Sequence, residues 1–289
     1  MTTVAFAPKH IVITAHPKLP IALNEAAEIA RHLKEKGYEA PHGSLYDESL
    51  RKRVKAHEFD LLIAVGGDGT MLRAGHLCAP CGVPILGINM GHLGFLIQVR
   101  KDEWPQMFDG LFKGEFWIEN RMMLRVEHMR AGESLGLWPA LNDAVVTRGQ
   151  FIRPVRLKAS VDGQYLTTYV CDGLIAATPT GSTAYALAAG GPILPPDLRN
   201  ILLVPIAPHL SVDRAVVLAE GSSVSITVHS DGVVLSVDGQ LPINLLDDDR
   251  VDVRIGEDTV KFVRFGAPDY FYRNLTAHMN TNPSIGLPR

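Results

Sequence analysis

The apolar run Leu61-Leu62-Ile63-Ala64-Val65 ends directly on Gly66-Gly67-Asp68-Gly69-Thr70, and no other junction limits the fold of this chain so strongly. Five aliphatic residues closed by glycines read as a strand buried on both faces that opens into a tight loop. Met71 to Ala79 then continues as a helix. Glycines let backbone N–H groups come close to an anion, and a helix start behind them adds a favourable dipole. An aspartate inside such a loop would repel phosphate unless it had a task, such as holding a hydroxyl proton or a metal ion. Taken alone, the pentapeptide reads equally well as a glycine turn with an Asp helix cap.

The flanking segments extend the pattern. His10 to Thr14 predicts a buried strand, after which Ala22, Ala26, Ile29, Ala30 and Leu33 recur at helical spacing. Glu25 and Glu28 early in this helix, Arg31, Lys34 and Lys36 late in it, and Gly37 at its close match dipole and C-cap preferences. Val83 to Ile88 predicts another strand. Asp102 to Phe112 predicts a helix with Pro105 in its first turn. Alternating β and α elements predict a doubly wound, mostly parallel sheet with ligands at the carboxyl ends of its strands, where Asp68 falls.

From about Phe116 the texture changes to period two, as in Leu124-Arg125-Val126, Val155-Arg156-Leu157, Val224 to Val228 and Val251 to Ile255. Asp162-Gly163 and Asp231-Gly232 predict hairpin turns between such runs. The chain is therefore expected to have an α/β N-terminal domain over residues 1–120 and an all-β C-terminal domain over 121–265. A loop and helix at Thr178 to Ala189 interrupt the second.

Hydrophobic residues make up 46% of the 289 and charged residues 20%, values of a globular chain. A net charge of −3 gives no case for nucleic acid or an anionic membrane as partner. The longest apolar runs, such as Ile201 to Ala207, are too short to span a bilayer. The first residues lack a basic stretch followed by an apolar one, so no secretory signal is expected. Three cysteines fit a reducing cytoplasm. Cys78-Ala79-Pro80-Cys81 has the spacing of a metal or redox pair, with His76 nearby. No second pair completes a zinc tetrad, so apolar filling at a helix end is the better reading. Arg51-Lys52-Arg53-Val54-Lys55 reads as a solvated helix face. Asn274-Leu275-Thr276 matches a glycosylation acceptor without meaning in a cytoplasmic protein.

A second block, Asp172-Gly173-Leu174-Ile175-Ala176-Ala177-Thr178-Pro179-Thr180-Gly181-Ser182-Thr183-Ala184-Tyr185, runs into Ala186 to Leu194. Asn89 to Leu96, Leu141 to Val146 and Val237-Asp238-Gly239-Gln240 complete a series that, with Gly66 to Thr70, resembles the NAD kinase family in order. The resemblance covers about residues 60 to 240. It implies phosphoryl transfer to the 2′-hydroxyl of the adenosine ribose of NAD, with ATP and Mg²⁺ or inorganic polyphosphate as donor. It also implies that the chain crosses back to the first domain over 266–289, by way of Asp269 to Met279. Assembly into a homo-oligomer, a tetramer or a dimer, is implied as well.

By the same resemblance Asp68 accepts the ribose proton, while Gly66, Gly67, Gly69 and Thr70 keep the approach to phosphate open. Asn142 and Asp143 would contact the NAD ribose or amide groups from a strand over Leu141 to Thr147, one residue on each face. The family usually has Asn-Glu here, so the acid of this chain is one methylene shorter. Asp172, Thr183, Ala184, Tyr185 and Ala188 fall in the NAD site, and Arg73, Arg153 and Gln240 align with more variable contacts. His209 aligns with a histidine near the active centre, although a lone histidine is more often structural. No side-chain metal cage is implied. Neither G-x-x-x-x-G-K-[ST] nor G-x-G-x-x-G occurs, which removes the signatures of a Walker-type ATPase and a Rossmann dehydrogenase. Two alternatives remain: a lipid or diacylglycerol-type kinase sharing only Gly66 to Thr70, and a non-catalytic dinucleotide sensor.

Overall fold

A computed structural model describes residues 7–91, 94–150, 152–209, 213–268, 271, 272 and 275. The chain divides into two compact units, Met1–Asn120 with Val260–Arg289, and Arg121–Thr259. The proposed return segment, Asp269 to Met279, lies outside the described residues except for Phe271, Tyr272 and Leu275, and Asn274 lies outside them too.

The first unit alternates strand and helix: β1 (Ile11–Ala15), α1 (Pro20–Glu35), β2 (His42–Ser44), α2 (Glu48–Lys55), β3 (Leu61–Gly66), α3 (Asp68–Cys78), β4 (Ile85–Asn89), β5 (Val99–Arg100) and α4 (Trp104–Phe112). Strands β2, β1, β3 and β4 lie side by side and parallel, with β5 also on β4. Every residue of β1, β3 and β4 is buried, as a parallel sheet covered on both faces requires. The apolar stripe of α1 (Ala22, Ala26, Ile29, Leu33) meets Ile11, Ile13, Ile63 and Val65, and Trp104, Phe108 and Leu111 of α4 join the same core. Helix α1 ends on Gly37 at φ +90°, with Gly37 N–H bonded to the Lys34 carbonyl and Tyr38 N–H to that of Leu33. This is a Schellman closure, and its left-handed residue is why a glycine stands there.

Glu25 departs from the dipole expectation. It lies beyond the first turn of α1, is buried, accepts from Trp104 Nε1 at 2.8 Å, and pairs with Lys101 at 3.0 Å. The basic run lies on α2, where Arg53 pairs with Glu58 at 2.7 Å and covers the Phe59 ring while Val54 is buried.

The second unit is built from β6 (Trp117–Arg130), β7 (Glu133–Ala140), β8 (Asp143–Arg148), β9 (Val155–Val161), β10 (Gln164–Cys171), β11 (Gly173–Ala177), α5 (Tyr185–Ala188), β12 (Ile201–Ile206), β13 (Val216–Leu218), β14 (Val224–Val228), β15 (Val233–Val237), β16 (Ile243–Leu245) and β17 (Arg250–Arg264). Strands β6 and β17 each begin in one unit and end in the other. One antiparallel sheet runs β13-β12-β11-β8-β15-β16. The other contains β10-β9-β14 and the start of β17. Alternate residues of the two sheets, among them Val146, Leu157, Leu174, Leu203, Ile226 and Leu235, form a common core. Val145, Ile175, Leu202 and Val204 point the other way, into a smaller cluster closed by Ala186 and Leu194. Strand β11 is therefore buried on both faces and shows no alternation, whereas β14 and β15 keep it.

Asp162-Gly163 makes the expected two-residue hairpin, with φ of +50° and +78° between paired Val161 and Gln164. Asp231-Gly232 does not. Strands β14 and β15 belong to different sheets, so this turn passes the chain from one to the other. A hairpin not expected from the sequence stands at Ala131-Gly132, between paired Arg130 and Glu133. Among the described residues, no helix is long and apolar enough to cross a membrane.

Asp249, just before β17, ties this unit together. Its carboxylate is buried and accepts from Arg130 Nε and Nη2 at 2.7 and 2.8 Å, from Leu246 N–H at 2.8 Å, and faces His128 Nε2 at 2.8 Å. Arg130, aided by Leu246 N–H and His128, holds it well below the usual carboxylate range. Stability from a depressed acid is present above its unfolded pKa of about 4 and lost as pH falls below it. We predict that Asp249→Ala destabilises the protein by about 2–4 kcal/mol at pH 7, with Arg130 free to turn to water. Urea unfolding at pH 7 and at pH 3 checks this, and the difference between variant and wild type should shrink at the lower pH.

Candidate active site

The residues singled out from the sequence fall into one group on each unit. In the first, β3 ends on Gly66 at the carboxyl edge of the parallel sheet, and Gly67 is the N-cap of α3. Asp68 is the first helical residue and not the cap: no side chain caps this helix, which starts three residues earlier than the sequence predicts. Its carboxylate accepts instead from Phe95 N–H at 2.8 Å through Oδ2 and from Leu96 N–H at 3.1 Å through Oδ1. A Cβ at Gly94 would fall onto this carboxylate, and one at Gly66 onto the Thr70 side chain. Both glycines are thus demanded by close approach. Arg73 Nη1 donates to the Gly69 carbonyl at 3.1 Å and its side chain is exposed. Thr70 is buried, and its hydroxyl makes no hydrogen bond among the described residues.

A carboxylate oxygen offers two lone pairs, so one N–H bond on each leaves Asp68 further acceptor capacity. The loop can therefore hold a hydroxyl proton on a carboxylate that the backbone has fixed in place.

On the second unit the Leu141 to Asp143 turn is gripped from two sides. Leu141, Asn142 and Asp143 N–H groups donate to the Asp238 carboxylate at 2.7, 2.8 and 2.9 Å. Thr178 Oγ1 donates to the Leu141 carbonyl at 2.5 Å and Thr178 N–H to that of Asn142 at 2.8 Å. Asn142 therefore precedes β8, which begins at Asp143, and the two do not alternate along one strand as the sequence suggests. Gly181 approaches the Asn142 backbone so closely that no Cβ fits. Its N–H bonds Thr178 Oγ1 at 3.0 Å, and Thr183 Oγ1 bonds the Thr180 carbonyl at 3.1 Å. Ala184 leads into the single turn of α5, with Tyr185 exposed and Ala188 at its end.

Asp143 is buried, and burial together with the Asp238 charge pushes its carboxyl up to about 7. Nothing local in the sequence marks Asp238 as its neighbour. Arg121 was likewise missed: it is buried and donates to Thr180 Oγ1 at 3.1 Å.

Other expected residues lie apart from this group. Asp172 precedes β11, whereas Thr178 follows it. The five residues of β11 separate them, six steps that span about 20 Å at about 3.3 Å each. Asp172 pairs instead with Arg148 at 3.1 Å. Arg153 is exposed in the loop before β9, and Gln240 is exposed after β15. His209 is exposed, with its N–H on the Val170 carbonyl at 2.7 Å. Cys78 is buried at the end of α3 and burial raises its thiol well above the usual value, while Cys81 Sγ contacts the Cys78 carbonyl at 3.3 Å.

Comparison with known proteins identifies this pairing of units. Residues 23–116 match the ATP-NAD kinase N-terminal domain and residues 141–265 the ATP-NAD kinase C-terminal domain. An NAD kinase of Chloroflexus aurantiacus is 36% identical over 272 residues, 94% of this chain and 98% of that one. The chain belongs to the NAD kinase family. Its fold is shared with yeast NADH kinase complexed with NADH (TM-score 0.81, 27% identity, 98% of this chain and 91% of that one). An NAD kinase from Archaeoglobus fulgidus in complex with ATP superposes at TM-score 0.73 with 26% identity, over 92% of this chain and 97% of that one. The match over 141–265 leaves the lipid-kinase alternative unsupported, since that reading used only Gly66 to Thr70.

A raised acid loses stability over the pH range in which the native state alone keeps its proton, because the unfolded chain is favoured by releasing it. For Asp143 that stability is complete below about pH 4 and lost as pH rises to about 7. Asp143→Asn should therefore stabilise the protein above pH 7 by up to about 4 kcal/mol relative to its effect at pH 4. Denaturant midpoints at the two pH values test this, and an equal difference at both would show an ordinary carboxyl.

Proposed function

We propose that this NAD kinase family member transfers the terminal phosphoryl group of ATP to the 2′-hydroxyl of the adenosine ribose of NAD, giving NADP. The observation that carries the reading is Asp68, fixed by two backbone N–H groups at the carboxyl end of β3 with α3 beginning behind it. The ribose oxygen forms its bond to phosphorus as the bond to the ADP oxygen breaks, and the hydroxyl proton passes to Asp68. ADP leaves with the electron pair. The N–H groups at the start of α3 favour the phosphates, and Gly67 and Gly69 keep them approachable. Asn142, Asp143, Thr183, Ala184, Tyr185 and Ala188 hold the dinucleotide. Arg73, Arg153 and Gln240 stand at its periphery.

Mg²⁺ held on the donor phosphates would neutralise charge there, and the spare acceptor capacity of Asp68 fits a place in its outer coordination. Polyphosphate as donor is the second arm of the assay. Cys78, Cys81 and Cys171 form no disulfide with one another, which fits a reducing, cytoplasmic setting.

Purified protein with NAD, Mg²⁺ and ATP should form NADP, and no product with either donor would refute the reading. Asp68→Asn keeps the shape of the loop and removes the proton acceptor, so kcat should fall about 10²–10⁴-fold with the KM for NAD little changed. Gly94→Ala, which displaces the same carboxylate, should lower kcat in the same direction. Turnover of the Asn variant near wild type would remove Asp68 from the chemistry.

We further propose a homo-oligomer, a tetramer formed through the second unit, with NAD near a subunit boundary. The distance along β11 between Asp172 and Thr178 supports this, because a neighbouring copy is a way for Asp172 to reach a dinucleotide held at Asn142. Dilution should lower specific activity and mass together in light scattering. A fully active monomer would overturn it.

A further inference from the structure

Every backbone polar group of Leu141, Asn142 and Asp143 that faces away from the β11 ladder is occupied. Three N–H groups converge on the two oxygens of Asp238, and Thr178 takes the Leu141 and Asn142 carbonyls. The Asp143 carbonyl accepts from Asp238 N–H at 2.9 Å, so the two aspartates are joined in both directions. The β8–β15 ladder ends at the pair Ala144 and Val237, and the Asp238 carboxylate continues beyond it as a substitute strand partner. Asp238 itself has φ +49°, a left-handed conformation that Asp tolerates better than most residues.

The side chains of this turn are in the opposite condition. Neither the Asn142 amide nor the Asp143 carboxyl makes a side-chain hydrogen bond among the described residues. A turn with its backbone satisfied and its side chains unused is organised for something outside itself. The brace is also a costly choice for stability alone. An ionised carboxylate beside a second, buried carboxyl raises the latter, as seen at Asp143. Such an arrangement keeps a proton on Asp143 near neutral pH, and a protonated carboxyl can donate to a ribose oxygen or amide carbonyl, which an ionised one cannot.

We propose that Asp238 is a positioning residue for the dinucleotide, holding the Leu141 to Asp143 turn so that the Asn142 amide and the Asp143 carboxyl meet NAD in one fixed geometry. This rests on the reading of Asn142 and Asp143 as NAD contacts. Asp238 does not touch the reacting atoms, so its loss acts on NAD affinity and not on the donor or on the chemical step.

Steady-state kinetics of Asp238→Asn, Asp238→Ala and Asn142→Ala test it, with NAD and ATP varied separately. An asparagine keeps one acceptor oxygen but turns an NH₂ group toward backbone N–H donors. Its KM for NAD should rise about 10-fold and that of Asp238→Ala more, with kcat and the KM for ATP within about twofold. Asn142→Ala should also raise the KM for NAD. If Asn142→Ala does so while Asp238→Asn matches wild type, the positioning role is wrong and the NAD contact stands. An unchanged KM for NAD in Asn142→Ala removes the contact reading itself. Parallel increases in both KM values, or a lowered melting temperature with unchanged kinetics, would reduce Asp238 to a structural residue. Should the alanine variant fail to fold, the asparagine variant decides.

Discussion

The α/β unit is organised around where Asp68 is held. A carboxylate at the start of a helix ordinarily caps it or faces water, yet here both oxygens take the N–H groups of Phe95 and Leu96. That contact fixes the segment after β4 against the loop after β3, and Gly94 has no side chain because the carboxylate occupies the space. The Leu96 carbonyl in turn accepts from Arg264 Nη1 at 2.9 Å, and Arg264 Nε bonds Glu119 at 2.8 Å, both side chains being buried. A carboxylate on a glycine loop would otherwise wander. These hydrogen bonds convert the loop into a fixed acceptor, the preorganisation that the role proposed for Asp68 requires.

The second unit solves a different problem with the same means. The dinucleotide site proposed there needs side chains presented from backbone that does not yield. Asp238 and Thr178 supply the rigidity by taking the polar groups of the Leu141 to Asp143 turn, and Gly181 lets the following loop lie directly on Asn142. Arg121 extends the support to Thr180 from β6. The turn proposed to face NAD thus stands on contacts between segments far apart in the chain, Asp238 and Asn142 being 96 residues from each other.

That separation explains what could be read from the sequence and what could not. The buried strands β1, β3 and β4 were legible because a short aliphatic run bounded by turn residues has few other uses. The glycine loop and the Thr178 to Ala188 segment were legible through resemblance. Asp231-Gly232 was misread because a two-residue turn signal is local, whereas the sheet that each neighbouring strand joins is settled by tertiary packing. Ala131-Gly132 carries a weaker turn signal and yet makes a hairpin, since long β6 and β7 pair on both sides of it. Strands β2 and β5, of three and two residues, are too short to show any period. Glu25 looked like a dipole partner because nothing local reveals that Trp104 will bring an indole N–H to it.

Asp143 stands far from the stability optimum, and its proposed contact with NAD supplies a reason. The family more often has the longer glutamate, which could carry its charge away from Asp238. The shorter side chain keeps the carboxyl buried beside that carboxylate, and its ionisation is suppressed until about neutral pH. A core designed for stability would place an amide or an apolar group there, because adjacent buried carboxyls oppose folding whenever the native state must release the proton. Sites that break a local rule without relief elsewhere are where function is expected to reside. Asp143 and Asp238 break it together, on a turn whose backbone is fully satisfied and whose side chains are not.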